Sequence, residues 1–257
     1  MSDIIVLNIW QFALIYLLLV IILIVMKKCR INQTKLLIVA SFRMTAQLVL
    51  AGLILTFIFE NPHPLFTVAY ILLMTGFAIH LILSRNPKLN KSFKIIVAIS
   101  LAATGLLVVC FFIMAVVGVS LFNPQYTIPI SGMIFGNALT GVTLGLKTFQ
   151  ESISAGRNRI EAMMNIGATP QKILTPFVNQ AIETALLPTM NSMLGMGIIS
   201  LPGMMTGQIL SGTLPMTAIL YQIAILIAIS AVVCLSVFTS LIFGYRTLYN
   251  KRSQIIT

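Results

Sequence analysis

Seven apolar runs divide the chain, at residues 4–26, 36–59, 65–83, 95–121, 127–146, about 184–205 and 216–244. A helix rising 1.5 Å per residue needs about 20 residues to cross the roughly 30 Å hydrocarbon layer of a bilayer. Most of the runs reach that length. The third is near the short end. The sixth is broken by Pro188 and ends at Pro202-Gly203, so it reads either as a full span or as a partial, re-entrant helix. The first run is too long for a signal-peptide core, no basic residue precedes it, and no small-residue cleavage site follows, so it is retained as a helix. The pattern predicts an all-α, polytopic membrane protein of about seven transmembrane helices, with 1–257 forming a single membrane domain.

The longest polar interval, 151–176, lies within a loop at 147–178 and predicts a helix, a turn and a second helix. Ile160, Met163, Met164 and Gly167 recur at the i, i+3, i+4, i+7 spacing of one helix face, with Arg157, Arg159, Glu161 and Asn165 on much of the remainder. Gly167 suits the left-handed residue that closes a helix. Thr169-Pro170 then reads as an N-cap followed by proline at the first helical position. A short amphipathic helix held beneath a membrane is a surface a partner can grip.

Composition strengthens the membrane reading. Of 257 residues 58% are hydrophobic and only 8% charged, more apolar surface than a soluble domain of this size can hide. All 16 Lys and Arg fall in alternate intervals: 27–43, 85–94, 147–172 and 246–252. By the positive-inside rule those intervals are cytoplasmic, which puts the N-terminus outside and the C-terminus inside, an arrangement seven helices satisfy and six or eight do not. Glu151, Glu161 and Glu183 share the basic side, whereas Asp3 and Glu60 lie opposite. The formal charge of +11 is therefore an orientation signal and an attraction to anionic headgroups, not a nucleic-acid footprint.

Polar residues inside the spans are the candidates for transport chemistry. Arg43 and Gln47 share one face of the second span; Arg43 is shallow enough to snorkel to the headgroups, Gln47 is not. In the fifth span Gly132/Gly136 and Gly141/Gly145 form two small-residue pairs suited to close helix approach. Asn137 is a mid-span amide that requires a partner or water. The segment 200–212, with Pro202, Gly203, Met204, Met205 and Gln208, is uncharged and rich in helix breakers. Irregular backbone at that depth survives only in protein or beside a wet cavity, so it is a candidate gate. Met133, Met190, Met193, Met196, Met204 and Met205 are soft thioethers, although such residues more often serve as adaptable packing. Cys29, Cys110 and Cys234 are too far apart in sequence to suggest a zinc site or disulfide framework, His63 and His80 lack a carboxylate cluster, and no metal site is assigned. Gly141 to Thr148 resembles a phosphate loop, but one residue is displaced and no strand precedes it, so ATP is not bound by that device.

The order Glu161-Ala162-Met163, then Gly167-Ala168-Thr169-Pro170, resembles the coupling loop of ABC transporter permeases, with the usual downstream Ile-x-Leu-Pro displaced to Ile173-Leu174-Thr175-Pro176. Together with Arg43-x3-Gln47, the Pro129–Asn137 string Gly-Met-Ile-x-Gly-Asn, Leu-Pro-Gly-Met-Met at 201–205 and Tyr221-Gln222-Ile223, it is similar to the FetB-type ABC permeases from about Arg43 to Arg246. That bacterial family is associated with iron export and metal stress and has plant relatives linked to aluminium tolerance.

The resemblance implies a permease dimer in the plasma membrane, served by two copies of a separate ATPase that carries the ATP and Mg. This chain itself would be neither an enzyme nor a cofactor binder. Arg157, Arg159, Glu161, Ala162, Met163, Gly167, Ala168, Thr169 and Pro170 would couple to the ATPase, and Arg43, Gln47, Gly132, Asn137, Pro202, Gly203, Met204, Met205 and Gln208 would line the pathway for iron or another metal. The alternative is an ion-gradient-driven secondary transporter, against which stands the lack of a deep Asp or Glu to carry a coupling proton. A membrane-embedded enzyme lacks any supporting His/Asp/Glu/Cys constellation.

Overall fold

The computed structural model describes residues 8–249 and consists of helices. The predicted start of the first span at Ile4, together with Asp3, Lys251 and Arg252, lies outside the described residues. Two compact units are present, one reaching Pro62 and including Leu210–Gly212, the other comprising His63–Ile209 and the chain from Thr213 onward.

In the first unit, α1 (Ile9–Lys28) and α2 (Thr34–Glu60) form a hairpin whose apolar side chains are largely exposed. A water-soluble helix buries one stripe, whereas helices apolar on every side belong in lipid. The hairpin is pinned by the Tyr16 and Thr45 hydroxyls, 2.6 Å apart. Its turn passes through Arg30 at φ +52°.

The second unit begins with α3 (Pro64–Arg85) and α4 (Lys91–Phe111). Proline at the first position of α3 follows His63, whose Nδ1 accepts from the Leu65 amide, and Asn90 Oδ1 accepts from Phe93 N at 2.7 Å to start α4. The chain then winds through one π-helical stretch, Phe112–Val117, and stops at Gly118, φ +75°. Next come α5 (Pro124–Ala155), α6 (Arg157–Asn165), α7 (Pro170–Gly195), α8 (Gly203–Leu210) and α9 (Pro215–Gly244). The core lies where α4, α5, α7 and α9 meet, around Phe93, Leu101, Ile134, Val142, Leu174 and Leu241. Polar ties cross it. Thr104 and Ser236 hydroxyls lie 2.6 Å apart, and Gln150 donates to the buried Asn86 at 3.2 Å.

Six helices among the described residues are long and apolar enough to cross a membrane. The run predicted as a sixth span at 184–205 is built differently from the others. Its first half is the end of α7, a 26-residue helix whose early turns carry Gln171, Lys172, Asn179, Gln180 and Glu183; its second half is a turn followed by α8. The segment 200–212 is thus not wholly irregular, since eight of its residues form α8. Helix α5 also runs well past the predicted 127–146, because an amphipathic helix continues beyond the point where its apolar run ends. The stretch 141–148 is helical throughout, so it is no phosphate loop.

The two glycine pairs in α5 behave differently. A Cβ at Gly141 would sit 2.5 Å from Val233, and one at Gly145 would sit 2.9 Å from Val237 and 3.3 Å from Ala185. Here α5, α7 and α9 approach closely because these positions lack a side chain. Among the described residues, nothing lies within 4 Å of where a Cβ at Gly136 would sit, and one at Gly132 would meet only the flexible tip of Met74. The spacing fixes a shared face but not whether a neighbour occupies it, so close packing within the chain at Gly136, expected from the spacing, is not found.

Candidate functional site

The second unit presents two candidate surfaces. The first is the 156–170 protrusion. Helix α5 gives way to α6 at Gly156, where a Cβ would press to 2.9 Å of the Phe177 ring and 3.0 Å of the Ser152 carbonyl. A side chain there would have to displace the Phe177 ring and crowd the Ser152 carbonyl, so glycine eases the start of α6 beside α7. Ser152 and Gln180 hold the two long helices together alongside it, 3.2 Å apart.

Helix α6 buries Ile160 and half-buries Met163 and Met164, as the i, i+3, i+4 spacing predicts, but Gly167, the expected i+7 member of that face, lies beyond the helix end at Asn165 and is exposed, because its left-handed φ turns the chain away. Its end is a Schellman closure. Gly167, at φ +81°, donates to the Met164 carbonyl, and Ala168 donates to the Met163 carbonyl, both at 3.0 Å. Thr169 then takes the extended conformation of an N-cap and Pro170 the first position of α7, although the Thr169 side chain makes no capping bond.

The outward face carries Arg157, Arg159, Glu161, Ala162, Asn165, Gly167 and Thr169, with Pro170 half-buried. Arg157 Nε and Glu161 Oε1 pair at 3.0 Å one turn apart. An exposed pair of this kind contributes at most about 0.5 kcal/mol, so it shapes the surface rather than the fold. At the tip Ile166 is 82% exposed. Sequence reading passed over this residue, although its displacement from the Ile160–Met163–Met164 stripe was the available signal. Gly156 was missed too, since no spacing rule distinguishes it.

The second surface is a small polar notch where α5, α7 and α9 meet, lined by Asn137, Thr140, Thr189, Ser192, Pro188 and Leu226, with a volume of about 80 Å³. That exceeds the roughly 30 Å³ share of one water molecule, and the wall offers an amide and three hydroxyls. Asn137 is exposed, and its Nδ2 donates to the Met133 carbonyl at 2.8 Å on its own helix. Thr140 and Ser192 likewise bond back to Gly136 and Pro188. Pro188 lacks the N–H that would bond one turn back, which loosens α7 beside the notch.

The remaining predicted pathway residues are dispersed. Arg43 and Gln47 are exposed on α2 of the N-terminal unit. Gly132 faces Met74 of α3. Pro202 accepts from Thr206 as α8 begins, and Gly203, Met204, Met205 and Gln208 are helical. None of these lines the notch. Among the described residues, no group of three His, Cys, Asp or Glu side chains is placed to hold a metal ion.

The profile of an uncharacterised protein family, UPF0014, matches residues 9–249. The chain is 31% identical over 215 residues to the "Probable iron export permease protein FetB" of Escherichia coli, covering 83% of this chain and 82% of that protein. It is 28% identical to the UPF0014 membrane protein YjkA of Bacillus subtilis, covering 89% and 90%. With "Protein ALUMINUM SENSITIVE 3" of Arabidopsis thaliana it shares 31% identity, over 82% and 76%. No solved structure shows significant similarity to the chain.

Proposed function

The chain belongs to the UPF0014 family, and on that premise we propose that it is the membrane-spanning subunit of an ATP-powered metal exporter, driven by a separate cytoplasmic ATPase. The observation that carries this reading is the α6 protrusion. It is a short helix closed at both ends by glycine, anchored by Ile160, with its charged side and Ile166 turned outward. A pair of ATPase subunits closing on ATP can move such a helix as a lever, because α6 is joined through Gly156 and Pro170 to two long helices of the unit, α5 and α7. In this reading all the basic intervals are cytoplasmic, α7 supplies the seventh crossing, and two copies of the chain face each other in the plasma membrane.

The polar notch beside Asn137 is the proposed pathway element. Gly136 and Asn137 occupy an exposed stretch of α5, where a hydrated route would sit. The relative named for iron export makes iron the first cargo to test.

Reconstituted with its ATPase, the chain is expected to move iron in an ATP-dependent manner that a protonophore does not abolish. In the same assay Asn137→Leu should lower flux about tenfold, the equivalent of 1.4 kcal/mol at the barrier, with the melting temperature unchanged. Leucine matches asparagine in size and removes only the polarity. Flux that tracks the proton gradient without ATP would favour the secondary-transporter alternative. Parallel loss of stability and flux in Asn137→Leu would reduce the residue to packing.

A further inference from the structure

We propose that the chain holds a soft monovalent cation, Cu(I) or Ag(I), in a methionine-lined cleft distinct from the Asn137 notch. The cleft has a volume of about 560 Å³ and lies where the end of α7, the following turn and α8 meet α9. Three of the six methionines noted in the sequence line it: Met193, Met196 and Met205. Each comes from a different piece of backbone, the last turn of α7, the turn itself and α8.

The turn is built to fix the backbone that carries the middle sulfur. Ile199 and Ser200 both donate to the Gly195 carbonyl, and Gly197, at φ +85°, donates to the Ser200 carbonyl at 2.9 Å. Met196 therefore sits at the mouth of a closed hydrogen-bonded loop rather than on a loose strand.

The second, independent observation is Gln222. This amide on α9 is 8% exposed and lines the same cleft, and its Nε2 reaches the Met196 sulfur at 3.8 Å. Its Oε1 is buried with no hydrogen-bond partner among the described residues. That oxygen is closed off from the cleft and is a polar group uncompensated in an apolar wall; a half-turn of the amide exchanges it with the nitrogen and brings it to the Met196 side, where a cation would satisfy it.

The chemistry of the wall selects the ion. Thioethers are soft donors that favour Cu(I) over hard ions such as Mg²⁺ and Ca²⁺, and Ag(I) is softer still. Among the described residues no acidic side chain lines the cleft, so none of them offsets a second positive charge. The desolvation cost rises as the square of the charge, so a divalent ion costs about four times as much as a monovalent one. Three neutral sulfurs and one neutral oxygen suit an ion of charge one. As a statement about cargo this rests on the permease reading; as a binding site it does not, because equilibrium binding needs neither ATP nor a partner.

The test is calorimetric titration of Ag(I), in chloride-free nitrate buffer, into the purified full chain with Cys29, Cys110 and Cys234 replaced by alanine. One Ag(I) per chain is expected. Met193→Leu, Met196→Leu and Met205→Leu, which conserve volume, should each weaken binding at least about tenfold, while Met114→Leu, out on the π-helical stretch, should not. Silver-edge X-ray absorption of the parent chain should show sulfur neighbours, a readout that stands even where a leucine variant fails to fold. Undiminished binding in the triple leucine variant, only oxygen or nitrogen neighbours around silver, or equal affinity for Zn(II) would overturn the site.

Discussion

Gly145→Leu is expected to lower the melting temperature of the purified chain by on the order of 10 °C and to cut its yield in the membrane. A Cβ at this position already meets Val237 on α9, Ala185 on α7 and, at 3.4 Å, the Ala181 carbonyl. Three helices converge there, and one of the contacts is backbone, which cannot rotate away. Overpacking a well-filled site costs about 1–3 kcal/mol, and a domain of this size loses roughly 2–4 °C for each. The informative partner is Gly136→Leu. It lies on the same helix and belongs to the same kind of glycine pair, yet its Cβ meets nothing, so thermal unfolding of Gly136→Leu should match the parent. Equal melting of the two variants would mean that α5 does not sit between α7 and α9 as described.

The second large effect is expected at the tip of α6. Ile166→Asp should leave folding and membrane abundance unchanged, because the side chain touches little of its own molecule, and should reduce ATP-driven flux by more than tenfold. Burying an isoleucine in a partner's groove is worth about 2 kcal/mol, which is roughly thirtyfold in association. Gly167→Val should do the same by a different route. Its φ of +81° costs a β-branched residue about 1–2 kcal/mol, and relieving that strain opens the closure that aims Ile166 outward. Measuring ATPase stimulation alongside flux separates lost docking from lost transport. Full flux in both variants, with normal ATPase stimulation, would remove α6 from the coupling path.

These residues also mark where sequence reading succeeds and where it stops. The second, third and last predicted spans lie within about two residues of α2, α3 and α9, because a long apolar run has one cheap solution in lipid. The predicted turn at Gly167 and restart at Thr169-Pro170 are found as read, because left-handed φ and the missing proline N–H are local constraints. Failures begin where the answer depends on a neighbour. Polarity marks the membrane edge rather than the helix end, so the extension of α5 past Leu146, with Lys147 and Glu151 paired at 3.8 Å on its outer turns, was not visible. Gly136 and Gly145 look alike in spacing and differ only in what stands opposite. The methionines look alike as well, and only the folding of 195–205 separates those that share a cleft from those that do not.

The direct test of the coupling account is a photoreactive phenylalanine placed at Ile166 and irradiated in native membranes. The account predicts covalent capture of a separate ATP-binding chain, identified by mass spectrometry, with a yield that changes when a non-hydrolysable ATP analogue is added. A chain that still exports metal in an ATP-dependent manner, yet forms adducts at position 166 only with lipid or with itself, would contradict it.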